Sequence, residues 1–83
     1  MTTPSRDFSG REITKVLESF GYERDRQRGS HVVLKYRNPD TGKVRTVTVP
    51  LHDRVKIGTL QSIADQCGAD DFDEWCRWID EHR

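Results

Sequence analysis

The stretch Arg26-Gln27-Arg28-Gly29-Ser30-His31-Val32-Val33-Leu34-Lys35-Tyr36-Arg37 decides how this chain folds. A polar, weakly alternating segment from Tyr22 to Arg28 meets a Gly-Ser pair, which suits a tight reversal between strands. His31 then opens an alternating run. Val32, Leu34 and Tyr36 face one way and His31, Val33, Lys35 and Arg37 the other. Asn38-Pro39-Asp40-Thr41-Gly42 is the next turn. Lys43 to Val49 is the return strand, and Pro50 ends it. These segments predict an antiparallel sheet of three strands, with Tyr22–Arg28 at its edge. The face holding His31, Lys35 and Arg37 is the polar one, so the helices belong on the other.

Outward from the strands, helices are expected on both sides. Ser9 reads as an N-cap with Glu12 completing a capping box. Ile13, Val16, Leu17 and Phe20 follow as one apolar stripe, and Gly21 stands where a C-terminal glycine belongs. Residues 1–8 read as a loose, flexible tail. Leu51 to Gly58 is a loop carrying His52, Arg54 and Lys56. A second helix is expected from near Thr59, with Leu60, Ile63, Ala64 and Cys67 as its stripe, ending at Gly68. Asp70 or Asp71 caps a third, carrying Phe72, Trp75, Cys76, Trp78 and Ile79, with acids crowding its first turn. The predicted class is α+β, in the order α-β-β-β-α with an extra C-terminal helix. Both helical stripes, Phe20 and Cys67 included, are expected to pack on Val32, Leu34 and Tyr36.

Eighty-three residues make one domain with a small core. Hydrophobic content is 33% and charged content 34%, but the periodic apolar runs argue against disorder. The zero net charge hides an asymmetry. Residues 1–57 hold twelve Lys/Arg against seven Asp/Glu, a net of +5, and residues 58–83 hold two against seven, a net of −5. A basic front half can meet a polyanion; a solvated charged surface is the plainer alternative. Cys67 and Cys76 form no CxxC and sit at apolar helix positions, as reduced thiols do. No segment is long enough to span a bilayer, and the N-terminus lacks an apolar signal region. An intracellular, cytoplasmic protein fits best.

Neutral imidazole takes and returns a proton near pH 7, and the flanking arginines offer planar donors to phosphate. His31 is therefore the candidate general acid/base, although a histidine at a strand end is more often structural. His52 is either an acid opposite His31 or a residue that holds its loop by a hydrogen bond, and the structural role is the simpler one. His82, near the terminus, reads as frayed and inert. Lys56 and Thr59 stand near a helix start, a geometry that favours anions, but capping is the plainer job for Thr59. No carboxylate–histidine cluster suggests a catalytic metal.

Gly21-Tyr22, Arg26-Gln27-Arg28-Gly29-Ser30-His31, Val49-Pro50-Leu51-His52 and Lys56-Ile57-Gly58-Thr59-Leu60 together resemble the HicA toxins. These are small bacterial and archaeal mRNA interferases of type II toxin–antitoxin pairs. The resemblance covers residues 9–69, leaving 70–83 as an additional helix packed on the same domain. It implies a fold like a double-stranded-RNA-binding domain, with helices on one face of a three-stranded sheet. It implies an endoribonuclease that cuts mRNA with one histidine, which maps to His31, and is neutralised by a HicB-like antitoxin; since one histidine and the 2′-hydroxyl suffice for such a cut, no cofactor or metal is expected. Arg26, Arg28, Ser30, Lys35, Arg37 and Lys56 are the expected RNA-binding residues, with His52 as a possible accessory. A non-catalytic RNA-binding module of the same fold, or a purely protein-binding partner, is the rival expectation.

Overall fold

The computed structural model describes residues 3–83 and has the order α1 (Gly10–Ser19), β1 (Glu23–Arg28), β2 (His31–Arg37), β3 (Val44–Pro50), α2 (Ile57–Gln66) and α3 (Phe72–His82). Helix α1 starts where the capping box places it. The Ser9 hydroxyl accepts from the Glu12 amide at 3.1 Å, and the Glu12 carboxylate accepts from the Ser9 amide at 2.9 Å. That amide, aided by Arg83, holds the Glu12 carboxyl below its ordinary value. The three strands form one antiparallel sheet in the order β1-β2-β3. Its inner face buries Val32, Leu34, Val47 and Val49 against Ile13, Val16 and Leu17 of α1 and Leu60, Ile63 and Ala64 of α2. His31, Lys35, Arg37, Thr46 and Thr48 lie exposed on the outer side. This is the expected α+β architecture with its helices on one face.

Helix α2 runs beside β3, one of the two edge strands. There the Gln66 side-chain oxygen accepts from the Thr48 amide at 2.8 Å, covering an edge donor that would otherwise stand open. The carbonyl of Cys67, just past the end of α2, accepts from the Arg45 guanidinium at 2.5 Å. A cation at that point also suits the helix dipole. Helix α3 packs on α1 and α2, burying Trp75, Cys76 and Ile79. Asp71 is its N-cap, accepting from the Glu74 amide at 3.1 Å. Both cysteines are free, and burial pushes their thiols up.

Four details differ from the sequence-based expectations. The tail does not stay loose as far as Phe8; Met1 and Thr2 of that tail lie outside the described residues. Phe8 is fully buried, its carbonyl accepts from the Val55 amide at 2.9 Å, and the Arg83 guanidinium lies over its ring at 4.9 Å. Phe20 leaves the α1 stripe and is 44% exposed, because the helix ends at Ser19 and turns the ring toward Trp78 of α3, 4.7 Å away. Helix α2 starts at Ile57 rather than near Thr59. The Lys56 carbonyl already accepts from the Leu60 amide at 2.9 Å, so Lys56 takes the N-cap position and Thr59 falls inside the helix. The end of α3 is tied rather than frayed. His82 lies within the helix against Phe20, and Arg83 reaches Glu12 at 3.3 Å and the Asp7 carbonyl at 2.9 Å.

Leu17 and Phe20 therefore carry unequal weight. Leu17→Ala should cost about 2–5 kcal/mol in urea unfolding, as expected for a core leucine. Phe20→Ala should lose mainly its aromatic contact, about 1 kcal/mol. Equal costs would contradict the burial difference.

Candidate active site

The site begins at the β1–β2 turn. Gly29 has φ +57 and Ser30 does not share a positive φ, the pattern a type II′ hairpin needs to match strand twist. Arg28 and His31 face each other across the turn, and His31 pairs on its other side with Pro50. The Ser30 carbonyl accepts from the Leu51 amide at 2.5 Å. This bond ties the turn to the segment leaving β3, which carries His52.

A bulge in β1 sets the chemistry of the outer face. The register passes from Arg24 opposite Leu34 to Arg26 opposite Val33, leaving Asp25 extra. Strand residues alternate faces, so one extra residue reverses the remainder of the strand. Arg24 thus faces the helices, where it meets Glu18 of α1 at 3.3 Å. Arg26 and Arg28 face outward, on the side of Val33 and His31. Simple alternation would have turned both arginines toward the helices.

His31 and His52 line one open cavity of about 370 Å³ between the end of the sheet and the first turns of α2, with Thr48, Gly58, Thr59 and Ser62. The ring centres of the two histidines are 6.3 Å apart and their planes meet at 69°. No side chain caps α2, and its first turn contains no acidic residue. Free amides and the positive end of the helix dipole therefore stand beside two imidazoles, an arrangement that favours an anion. Imidazoles can move protons there, and the amides can hold a tetrahedral oxyanion group.

The backbone of Gly10 fixes this loop. Its amide donates to the His52 carbonyl at 2.9 Å. A Cβ on Gly10 would stand 1.9 Å from the Pro50 carbonyl oxygen and 2.8 Å from the Leu51 Cα. Only glycine allows α1 to come so close. The loop is thus held by main chain, while the His52 side chain stays exposed.

The structure gathers some of the expected residues and separates others. His31 and His52 meet at one cavity, Arg28 is the partner of His31 across the β1–β2 turn, and Arg26 stands two residues back on the same face. Lys35 is on the same face but about 13 Å along β2 from His31, and its ammonium pairs with Asp25 at 3.6 Å. Arg37 lies about 20 Å from His31 along the strand and donates to the Gly42 carbonyl at 3.5 Å. Lys56 lines a different cavity, of about 730 Å³, beside Arg6 and Arg54. Ser30 contributes its carbonyl to the loop tie. Gly10, Thr48 and Ser62 were not legible as site residues. The one hint at Gly10 was a glycine directly after the Ser9 cap. Among the described residues, no three His, Cys, Asp or Glu side chains gather as a metal-ligand set. No helix among them is long and apolar enough to cross a membrane.

Comparison with known families gives a match over most of the chain. The family model for the HicA toxin of bacterial toxin–antitoxin systems covers residues 10–69. That span contains α1, the whole sheet and α2, and therefore every residue of the cavity; α3 lies beyond it. No curated protein matches the chain.

Gly10→Ala isolates the contact that holds the loop. An alanine is normally better than glycine in a helix by about 1 kcal/mol. Here the overlap with Pro50 should reverse the sign, giving a loss of about 1–3 kcal/mol. The His52 ring resonances should also shift in an NMR spectrum. A stabilised variant with unmoved His52 signals would contradict the contact.

Proposed function

This chain belongs to the HicA toxin family of bacterial toxin–antitoxin systems, and we propose that it acts there as an mRNA interferase that cuts RNA with His31 as general base. One observation carries the reading. Within the family-matched span, His31 stands at an anion-favouring cavity, with Arg28 beside it and Arg26 on the same outward face. In this reading His31 takes the proton of a ribose 2′-hydroxyl. The 2′-oxygen attacks the adjacent phosphorus, the bond to the 5′-oxygen breaks, and a 2′,3′-cyclic phosphate forms. A positioned base contributes about two to four orders of magnitude to such a step. The α2 amides and the guanidinium of Arg28 would stabilise the added charge on the phosphate oxygens. Arg26 extends the cationic track along the outer face. Lys35, Arg37 and Lys56 stand apart from this centre and are assigned to more distant stretches of the strand, where cations add affinity rather than rate.

The toxin family implies an antitoxin partner. The finer reading is a HicB-like protein that covers the basic sheet face and His31, in the cytoplasm where mRNA is translated. The outward Arg26 and Arg28 beside His31 support a partner that shields this face from RNA.

His31→Ala is the direct test. His31 is an exposed strand start, so the variant should keep its circular dichroism spectrum. Single-turnover cleavage should fall by about 10²–10⁴-fold, while RNA affinity changes far less, as for a group that acts in the transition state. Wild-type cleavage should persist in EDTA. Near-normal cleavage by folded His31→Ala would remove the assignment. Wild-type protein that retains RNA without cutting it would favour the RNA-binding module. Activity lost in EDTA and restored by Mg²⁺ would mean a metal-dependent nuclease.

A further inference from the structure

We propose that His52 is a second catalytic residue, the general acid that protonates the departing 5′-oxygen opposite His31; this rests on the reading of the chain as a ribonuclease. Transesterification needs two proton movements. One proton leaves the 2′-hydroxyl for His31. As the P–O5′ bond breaks, the electron pair goes to the 5′-oxygen, which must gain a proton to leave as a hydroxyl. Protonated His52 supplies it. At the end His31 is protonated, His52 is neutral, and exchange with water restores both. No other reactant enters the balance.

The geometry supports this division. The two ring centres are 6.3 Å apart, and the planes are tilted rather than stacked. A phosphodiester presents its attacking and leaving oxygens on opposite sides of one phosphorus. Two imidazoles at this spacing, each about 3 Å from its own oxygen, can flank such a group. Both histidines line the same cavity, with Thr48 and Pro50 of β3 and with Gly58, Thr59 and Ser62 of α2, whose first turn carries no side-chain cap. The start of α2 is then left for the non-bridging oxygens when the histidines hold the other two.

A structural role for the imidazole is the competing explanation, and the backbone already fills it. The loop is anchored by Gly10 N–H to the His52 carbonyl, by Leu51 N–H to the Ser30 carbonyl and by Val55 N–H to the Phe8 carbonyl, at 2.9, 2.5 and 2.9 Å. None of these uses the ring. His52 is exposed, and its ring centre lies 6.3 Å from that of His31.

The test uses an oligoribonucleotide whose cleaved linkage has been mapped with wild-type protein. A second version carries sulfur in place of the bridging 5′-oxygen at that linkage. A thiolate leaves without a proton, so the general acid becomes dispensable while the base does not. His52→Ala should slow cleavage of the natural linkage by about 10²–10⁴-fold. On the sulfur linkage it should return to within about tenfold of wild type, whereas His31→Ala should stay slow on both. His52→Ala equally slow on both would make it a positioning residue and overturn the assignment. Wild-type rates on both would remove any role. Rescue of His31→Ala instead would reverse the two roles and overturn the assignment as stated. If the mapping step finds no RNA linkage that wild-type protein cleaves, the ribonuclease reading itself falls, a result distinct from all the others.

Discussion

The close passage of α1 over the end of β3 is the constraint on which the site depends. Residue 10 has no side chain, so the helix backbone meets Pro50 and Leu51 directly, and its amide is free to hold the His52 carbonyl. The Leu51 amide in turn holds the β1–β2 turn through Ser30. Two backbone hydrogen bonds therefore connect three segments that are remote in sequence. Main-chain ties cost little conformational entropy once the strands are paired, because the groups involved are already ordered. They leave both imidazoles free of structural duty.

Charge is sorted by the same backbone. The bulge at Asp25 sends Arg24 to Glu18 on the helix side and Arg26 outward. The acids of α3 fall on the far side of the molecule from the outer sheet face, since α3 packs on α1 and α2 and not on the exposed strand surface. Several of them serve the fold: Asp71 caps its helix, Asp73 pairs with Arg6, and Asp80 meets Arg83 at 2.8 Å. On the helix side, then, acids and bases are largely paired, while Arg26 and Arg28 stay on the outer face. Exposed pairs of this kind add little stability, about 0–1 kcal/mol each, so the sorting matters more for what the sheet attracts than for how firmly the chain folds.

The fold was largely legible because its signals are local. The capping box at Ser9, the stripe through Leu17, the alternation from His31 to Arg37 and the turn at Asn38–Gly42 each state their structure within about ten residues. What failed was set by contacts remote in sequence. Phe20 fits the α1 stripe by spacing, but α3 lies close enough to take it. Phe8 looks like tail until Val55 and Arg83 reach it. The site divides in the same way. His31 and the arginines were visible as a cluster in sequence. The separation of Arg37 follows from strand length alone and could have been deduced from its six-residue distance. The outward turn of Arg26 could not, because a bulge reverses alternation without a marker in the residues themselves. The meeting of His52 with His31 needs the whole sheet and the Gly10 contact, and no spacing rule contains it.

The central claim is that the 2′-hydroxyl of the substrate performs the cut, with the proton taken by His31. The most direct measurement is the chemistry of the ends made by the wild-type protein, read by mass spectrometry. The substrates are a mapped oligoribonucleotide and a copy in which the nucleotide 5′ to the cut carries hydrogen at the 2′ position. Fragments ending in a 2′,3′-cyclic phosphate or its opened form, with the substituted copy left intact, are the expected result. Fragments with 3′-hydroxyl and 5′-phosphate ends, or cleavage of the substituted copy at the same linkage, would contradict it.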